Sequence, residues 1–180
     1  GEVWLCTGQS NMYLRMREGQ VNDAKQIIQN ADHPLIRMSF NHKPWQAITP
    51  QTVTNHSAVS YLTAIQLQDQ LKVPIGIITL TAGGRALQTW FDLETFNADP
   101  ANADIVEHWK HAPKVPKKNP LYHPFLKPGL MDQQFMNPVD GYGIRRGFGV
   151  SGRSRSRTRL GQTLLPTLPA IDRHLAKNMG

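Results

Sequence analysis

The apolar residues of this chain fall into short continuous runs, separated by polar stretches marked with glycine and proline. The first run, Val3-Trp4-Leu5-Cys6, passes into Thr7-Gly8-Gln9-Ser10-Asn11-Met12. That pattern predicts a buried strand entering a tight turn, with a helix able to begin at about Ser10. A polar stretch over 22–30 predicts a helix, 35–40 a second strand starting just after Pro34, and 49–54 a loop. Residues 56–72 form the clearest helical pattern. There Ala58, Tyr61, Leu62 and Ile65 share one face for two turns, Asn55 or Ser57 can cap the start, and Lys72 ends it. Pro74 then opens Ile75–Thr81, a run apolar enough to be covered on both faces. A helix followed by a buried strand, with other strands upstream, predicts an α/β domain with a mostly parallel sheet.

Beyond that strand come Ala82-Gly83-Gly84-Arg85-Ala86 and Trp90-Phe91. A surface helix is expected over 102–111 and a helical segment over 129–136. Between them, 112–128 holds five prolines and reads as an extended loop. No internal repeat is present.

A length of 180 residues suits one domain with a real core. No stretch reaches the apolar length that spans a bilayer, so no membrane partner is expected. No segment has the pattern of a signal peptide, and the chain opens directly on a strand, so the natural start is expected upstream of Gly1. Cys6 is the sole cysteine, which rules out an internal disulfide.

The net charge of +7 is confined to one place. Residues 1–144 hold 12 Lys/Arg against 12 Asp/Glu, whereas 145–180 hold eight basic residues against the single acid Asp172. A nucleic-acid binder that is basic throughout does not look like that. The change of composition separates a neutral segment, 1–145, from a basic tail, 146–180, expected to be disordered or non-native.

Two strand ends carry candidate chemistry. Ser10 lies just past the first strand, and the carboxyl ends of parallel strands form the crevice where ligands bind. By position alone an N-cap role for this serine is the stronger reading. Gly83-Gly84 ends the strand Ile75–Thr81, where glycine lets the backbone approach a ligand closely or simply turn. Two such ends in one domain favour a shared crevice more than either does separately.

The block Gly1-Glu2-Val3-Trp4-Leu5-Cys6-Thr7-Gly8-Gln9-Ser10-Asn11-Met12 is very similar to the opening of the sialate O-acetylesterase family, a branch of the SGNH hydrolases. The resemblance continues through Ser57-Ala58-Val59-Ser60-Tyr61, Val73-Pro74-Ile75-Gly76-Ile77-Ile78, and Gly83-Gly84-Arg85 with Trp90. It ends with Met136-Asn137-Pro138 and Gly143-Ile144-Arg145. It therefore covers about 1–145, with Gly-Gln-Ser-Asn-Met as its most specific part. It implies a three-layer α/β/α domain, truncated here on its C-terminal side. It also implies removal of acetyl groups from sugars through a serine acyl-enzyme, without metal or cofactor. On that resemblance Ser10 is the nucleophile and its own amide one oxyanion donor, with Gly83 favoured over Gly84 as the second. Gln9, Asn11, Gly84 and Arg85 are expected to line the substrate crevice. A preorganised donor of this kind is worth about 10²–10³ in rate. The family is commonly exported, which implies an extracellular or periplasmic location.

The resemblance breaks after Arg145. The family continues Gly-Val-Leu-Trp-Tyr-Gln-Gly-Glu, which brings a further oxyanion-hole side chain, and later supplies a base from Asp-x-x-His. Here Arg146-Gly147-Phe148-Gly149-Val150-Ser151-Gly152-Arg153 follows, and no Asp-x-x-His comes after it. Residues 146–154 can be encoded CGG GGT TTT GGT GTA TCA GGG CGA AGC. Read one base later, that string gives Gly-Val-Leu-Val-Tyr-Gln-Gly-Glu, which points to a single-base frameshift at Arg146. Asp172-Arg173-His174 has the wrong spacing to replace the missing pair. His108 and His111 lie a helical turn apart, but without a third ligand they read as surface residues. A serine without a base is a poor nucleophile at neutral pH, so this chain is expected to be weakly active or inactive. Two alternatives stand beside the esterase. One is a catalytically dead sugar-binding remnant. The other, less favoured, is nucleic-acid binding through the phosphate contacts of Arg153-Ser154-Arg155-Ser156-Arg157-Thr158-Arg159.

Overall fold

The computed structural model describes residues 1–111, 127–139 and 141–150. They divide into two compact units, residues 1–83 with 143–150 and residues 84–142.

The first unit is built on a five-stranded sheet. Its strands are β1 (Glu2–Gly8), β2 (His33–Phe40), β3 (Gln46–Ile48), β4 (Ile75–Thr81) and β5 (Ile144–Val150), in the order β3-β2-β4-β1-β5. All neighbours are parallel except β2 and β3, which are antiparallel. The α/β alternation read from the sequence is therefore the fold. Side chains alternate across a strand, so one face of the sheet collects the even residues of β1 and β2 and the odd residues of β4. Trp4, Ile77 and Met38 lie in one row of the register. With Cys6, Ile36 and Ile75 they form the core, together with Met12, Met16, Tyr61 and Ala64. Full burial of each large apolar side chain contributes about 1.5–3 kcal/mol.

The helices of this unit are α1 (Ser10–Tyr13), α2 (Ala24–Gln29), α3 (Pro50–Val53) and α4 (Ala58–Leu71). Ser57 is the cap of α4 and accepts a bond from Ser60 N at 3.3 Å, while Lys72 closes the helix in the left-handed region (φ 54°). The buried face of α4 includes Ala58 and Tyr61 as expected and is rotated toward Ser60 and Ala64. Ala58, Ser60, Tyr61 and Ala64 point inward, and Leu62 and Ile65 are only half-buried. Small residues allow close approach to the sheet, and the inward Ser60 hydroxyl is satisfied by internal partners described below. The expected loop at 49–54 contains α3. Pro50 occupies its first turn, and Thr49 and Thr52 form a reciprocal capping box, with Thr52 N donating to Thr49 Oγ1 at 3.3 Å and Thr49 N to Thr52 Oγ1 at 2.9 Å. Strand β2 begins at His33, before Pro34, because the proline lies where the pairing with β3 is irregular and needs no ladder donor. Strand β5 runs across position 145, where the composition changes. Residues 151–180, including the Arg/Ser run and His174, lie outside the described residues, as do 112–126.

The second unit is made of short helical pieces. A 3₁₀ turn (Leu87–Trp90) is followed by α5 (Leu93–Ala98), another 3₁₀ turn (Pro100–Asn102) and α6 (Ala103–His111). Further on, a π-helical turn spans Asp132–Met136 within the helical segment expected at 129–136. Asp92 caps α5 through Thr95 N (2.7 Å), and the buried Asn102 donates to Phe96 O (3.0 Å). Trp90 and Phe135 pack with ring centroids 6.0 Å apart.

Candidate active site at the ends of strands β1 and β4

Strands β1 and β4 are parallel neighbours with Gly8 opposite Thr81. Ser10 and Gly83 each come two residues later, so both chains leave the sheet at the same level. One strand spacing, about 4.8 Å, separates them at the last paired residues. The ends are stitched together: Ala82 N donates to Gly8 O at 3.2 Å, and the Thr81 hydroxyl lies 3.1 Å from Gly8 O and 2.9 Å from Gln9 O.

Ser10 is exposed and is the first residue of α1. The N-cap position belongs to Gln9, which makes no side-chain capping bond. The capping role that position alone favoured for Ser10 is therefore not the one it has, because the chain turns one residue earlier. Helix α1 is held from behind by Met12, which is fully buried. The Ser57 and Ser60 hydroxyls donate to Met12 Sδ at 3.5 and 3.2 Å, and Thr79 Oγ1 donates to Ser60 Oγ at 3.0 Å.

Gly83 is exposed, its φ lies outside the left-handed region, and a Cβ built there would meet nothing within 4 Å. The local fold thus gives no steric or conformational reason for glycine at this position. Gly84 does have one, since its φ of +71° favours a residue without a side chain. Gln9 is half-buried and Asn11 exposed, both beside Ser10. Gly84 and Arg85 fall in the second unit. Burial lowers the pKa of the Arg85 guanidinium.

Two buried titratable groups, His56 and Cys6, are neutral at pH 7. His56 is only 2 % exposed, and its Nε2 lies 3.2 Å from Gln46 Oε1. Burial, followed by the charge of Lys43, pushes its pKa down to about 4. Cys6 is buried beneath α1, and desolvation pushes its thiol up to about 12. Neither group can exchange protons readily with a substrate at neutral pH. His108 and His111 lie on α6, and no group of three or more metal-ligating side chains occurs among the described residues.

Two residues beside this edge were not singled out from the sequence. Asn41 follows β2 in the left-handed region (φ 48°) and bonds to the backbone of β4. Thr81 ends β4. Nothing along the chain pairs them with Ser10, because the contacts bridge 40 and 72 residues of sequence.

No protein-family model matches the chain. It is 28 % identical to the sialate O-acetylesterase of Mus musculus over 118 residues, covering 54 % of this chain and 22 % of that protein. It is 28 % identical to the Homo sapiens sialate O-acetylesterase over 110 residues, covering 50 % and 21 %. Over about half its length the chain resembles the sialate O-acetylesterases. It spans about a fifth of the length of these curated relatives. The resemblance extends to the fold. A carbohydrate acetylesterase from Xanthomonas citri superposes with a TM-score of 0.66 at 24 % identity, over 85 % of this chain and 33 % of that structure. No helix among the described residues is long and apolar enough to cross a membrane.

Proposed function

We propose that this chain carries the front part of a serine hydrolase that removes O-acetyl groups from sugars. The observation that carries the reading is the in-register pairing of β1 and β4, which brings an exposed serine and a sterically unconstrained glycine to one sheet edge. In this mechanism Ser10 Oγ attacks the acetyl carbonyl and forms a tetrahedral oxyanion, its proton passing through water to the sugar oxygen that leaves. The amides of Ser10 and Gly83 donate to that oxyanion, and the sugar hydroxyl departs to leave an acetyl-enzyme that water then hydrolyses. Gln9 and Asn11, beside Ser10, contact the acylated sugar. Location outside the cytoplasm, extracellular or periplasmic, belongs to the same reading.

Among the described residues no base is placed to take the serine proton. No Asp-x-x-His follows Arg145, and the buried His56 is held neutral. Loss of a base costs about 10²–10⁴ in rate, so slow turnover is expected. The same absence favours, as a second reading, a remnant that keeps the sugar crevice without the chemistry. A fluorophosphonate probe separates the two. Slow, stoichiometric labelling located on Ser10 by mass spectrometry, and lost in Ser10→Ala, supports the hydrolase. Binding of acetylated sugar with no labelling supports the remnant. Rapid acetyl release from p-nitrophenyl acetate, abolished by Ser10→Ala, would overturn the claim of impairment. Sequencing the coding DNA around Arg145 tests the frameshift.

A further inference from the structure

We infer that Thr81, held in place by Asn41, is a positioning residue that aims the backbone amide of Ser10; the inference rests on the reading of Ser10 as a nucleophile. A peptide unit is planar and trans, so the carbonyl of Gln9 and the N–H of Ser10 belong to one rigid plate and point in opposite directions. Whatever fixes Gln9 O fixes the direction of that N–H. Two donors reach Gln9 O: Tyr13 N at 2.9 Å, within the first turn of α1, and, from the neighbouring strand, the Thr81 hydroxyl at 2.9 Å, whose one proton is closer to Gln9 O than to Gly8 O at 3.1 Å. The first bond is local and moves with the helix. The second ties the plate to the strand that delivers Gly83.

Thr81 is itself clamped. The Asn41 carboxamide accepts from Thr81 N at 2.8 Å and donates to Thr81 O at 2.9 Å, and Asn41 N donates to Thr79 O at 2.8 Å. Those partners fix the orientation of the amide, because the flipped form would set N–H against N–H and oxygen against oxygen. The side chain thus extends the β2–β4 ladder one step beyond the end of β2, and the left-handed backbone at Asn41 is what lets it reach. Thr81 is only 1 % exposed, so its hydroxyl works out of contact with solvent. A Val there would have the same shape without the proton, while Ser would keep the proton and lose only a methyl group.

Equilibrium binding of methylboronic acid to the full chain tests this. Ser10 Oγ adds to boron, its proton passes to solvent, and the resulting tetrahedral anion needs the oxyanion donors but no general base. The adduct is followed by ¹¹B NMR. The unaltered chain is expected to form it and Ser10→Ala to abolish it. Thr81→Val is expected to weaken it about tenfold, the scale of one lost hydrogen bond, and Thr81→Ser to restore it to within about twofold. Asn41→Ala, at a half-buried edge position, provides a second arm should Thr81→Val fold poorly, and it too should weaken the adduct. Equal binding by Thr81→Val and the unaltered chain, or equal weakness of Thr81→Ser and Thr81→Val, overturns the positioning role and leaves the nucleophile standing. No adduct on the unaltered chain, or an adduct that survives in Ser10→Ala, overturns the reading of Ser10 and this inference with it.

Discussion

Removing the Ser60 hydroxyl should destabilise the protein more than removing both it and its partner. Thr79 is fully buried and donates to Ser60 Oγ at 3.0 Å, and Ser60 in turn donates to Met12 Sδ at 3.2 Å. In Ser60→Ala the Thr79 proton has no acceptor and no water to turn to, which costs about 1–3 kcal/mol. The better helix propensity of Ala offsets about 0.5 kcal/mol of that. Thr79→Val removes the stranded donor while keeping the shape, and Ser60 keeps its bond to the sulfur, so this change alone should cost about 0.5–1.5 kcal/mol. The double variant removes the stranded Thr79 donor and should be more stable than Ser60→Ala by about 1 kcal/mol. Urea unfolding read by circular dichroism measures all four proteins. For a chain of this size 1 kcal/mol also corresponds to about 2–4 °C in Tm. Additive penalties, or a Ser60→Ala protein as stable as the parent, would refute the reasoning. The relay matters for the site because Met12 is what anchors α1 behind Ser10.

Three other outcomes are expected. Cys6 should not react with Ellman's reagent at pH 8 in the folded protein and should react at once in urea, since burial holds the thiol at about 12. The folded His56 titrates at about 4, well below its value of 6.5 when unfolded. The unfolded chain therefore binds the extra proton, and stability should be complete above pH 6.5 and fall as pH drops toward 4. The slope should approach 1.4 kcal/mol per pH unit and be absent in His56→Gln, as measured by urea midpoints across that window. Gly84→Ala should cost about 1 kcal/mol because of its left-handed backbone, whereas Gly83→Ala should cost less than about 0.5 kcal/mol. Thermal melts compare the two, and equal losses would contradict the backbone assignment.

Continuous apolar runs were legible along the chain because a buried strand writes its burial into consecutive residues. Strand β4 occupies Ile75–Thr81 as read, and β1 and α4 differ from expectation only at their ends. Strand β3, three residues long, has too little pattern to be seen. Helix α3 was missed, although Thr49, Pro50 and Thr52 spell its cap, because the polar composition outweighed that chemistry. The inward face of α4 keeps Ala58 and Tyr61 as read, with Ile65 packed at its border, but also takes in Ser60 and Ala64. Hydrophobicity ranks Leu62 and Ile65 above Ser60 and Ala64, but the small residues flanking Tyr61 fit close to the sheet, and internal hydrogen bonds satisfy the serine.

The sequence by itself determined that Ser10 and Gly83 each follow a buried strand, since strand and turn are local properties. That these two strands are neighbours, parallel and level with each other was decided only by tertiary structure. So was the choice of Thr81 and Asn41 to join the three strand ends. Hydrogen bonds between residues dozens of positions apart leave no mark on composition or periodicity, because their geometry exists only once the sheet has closed.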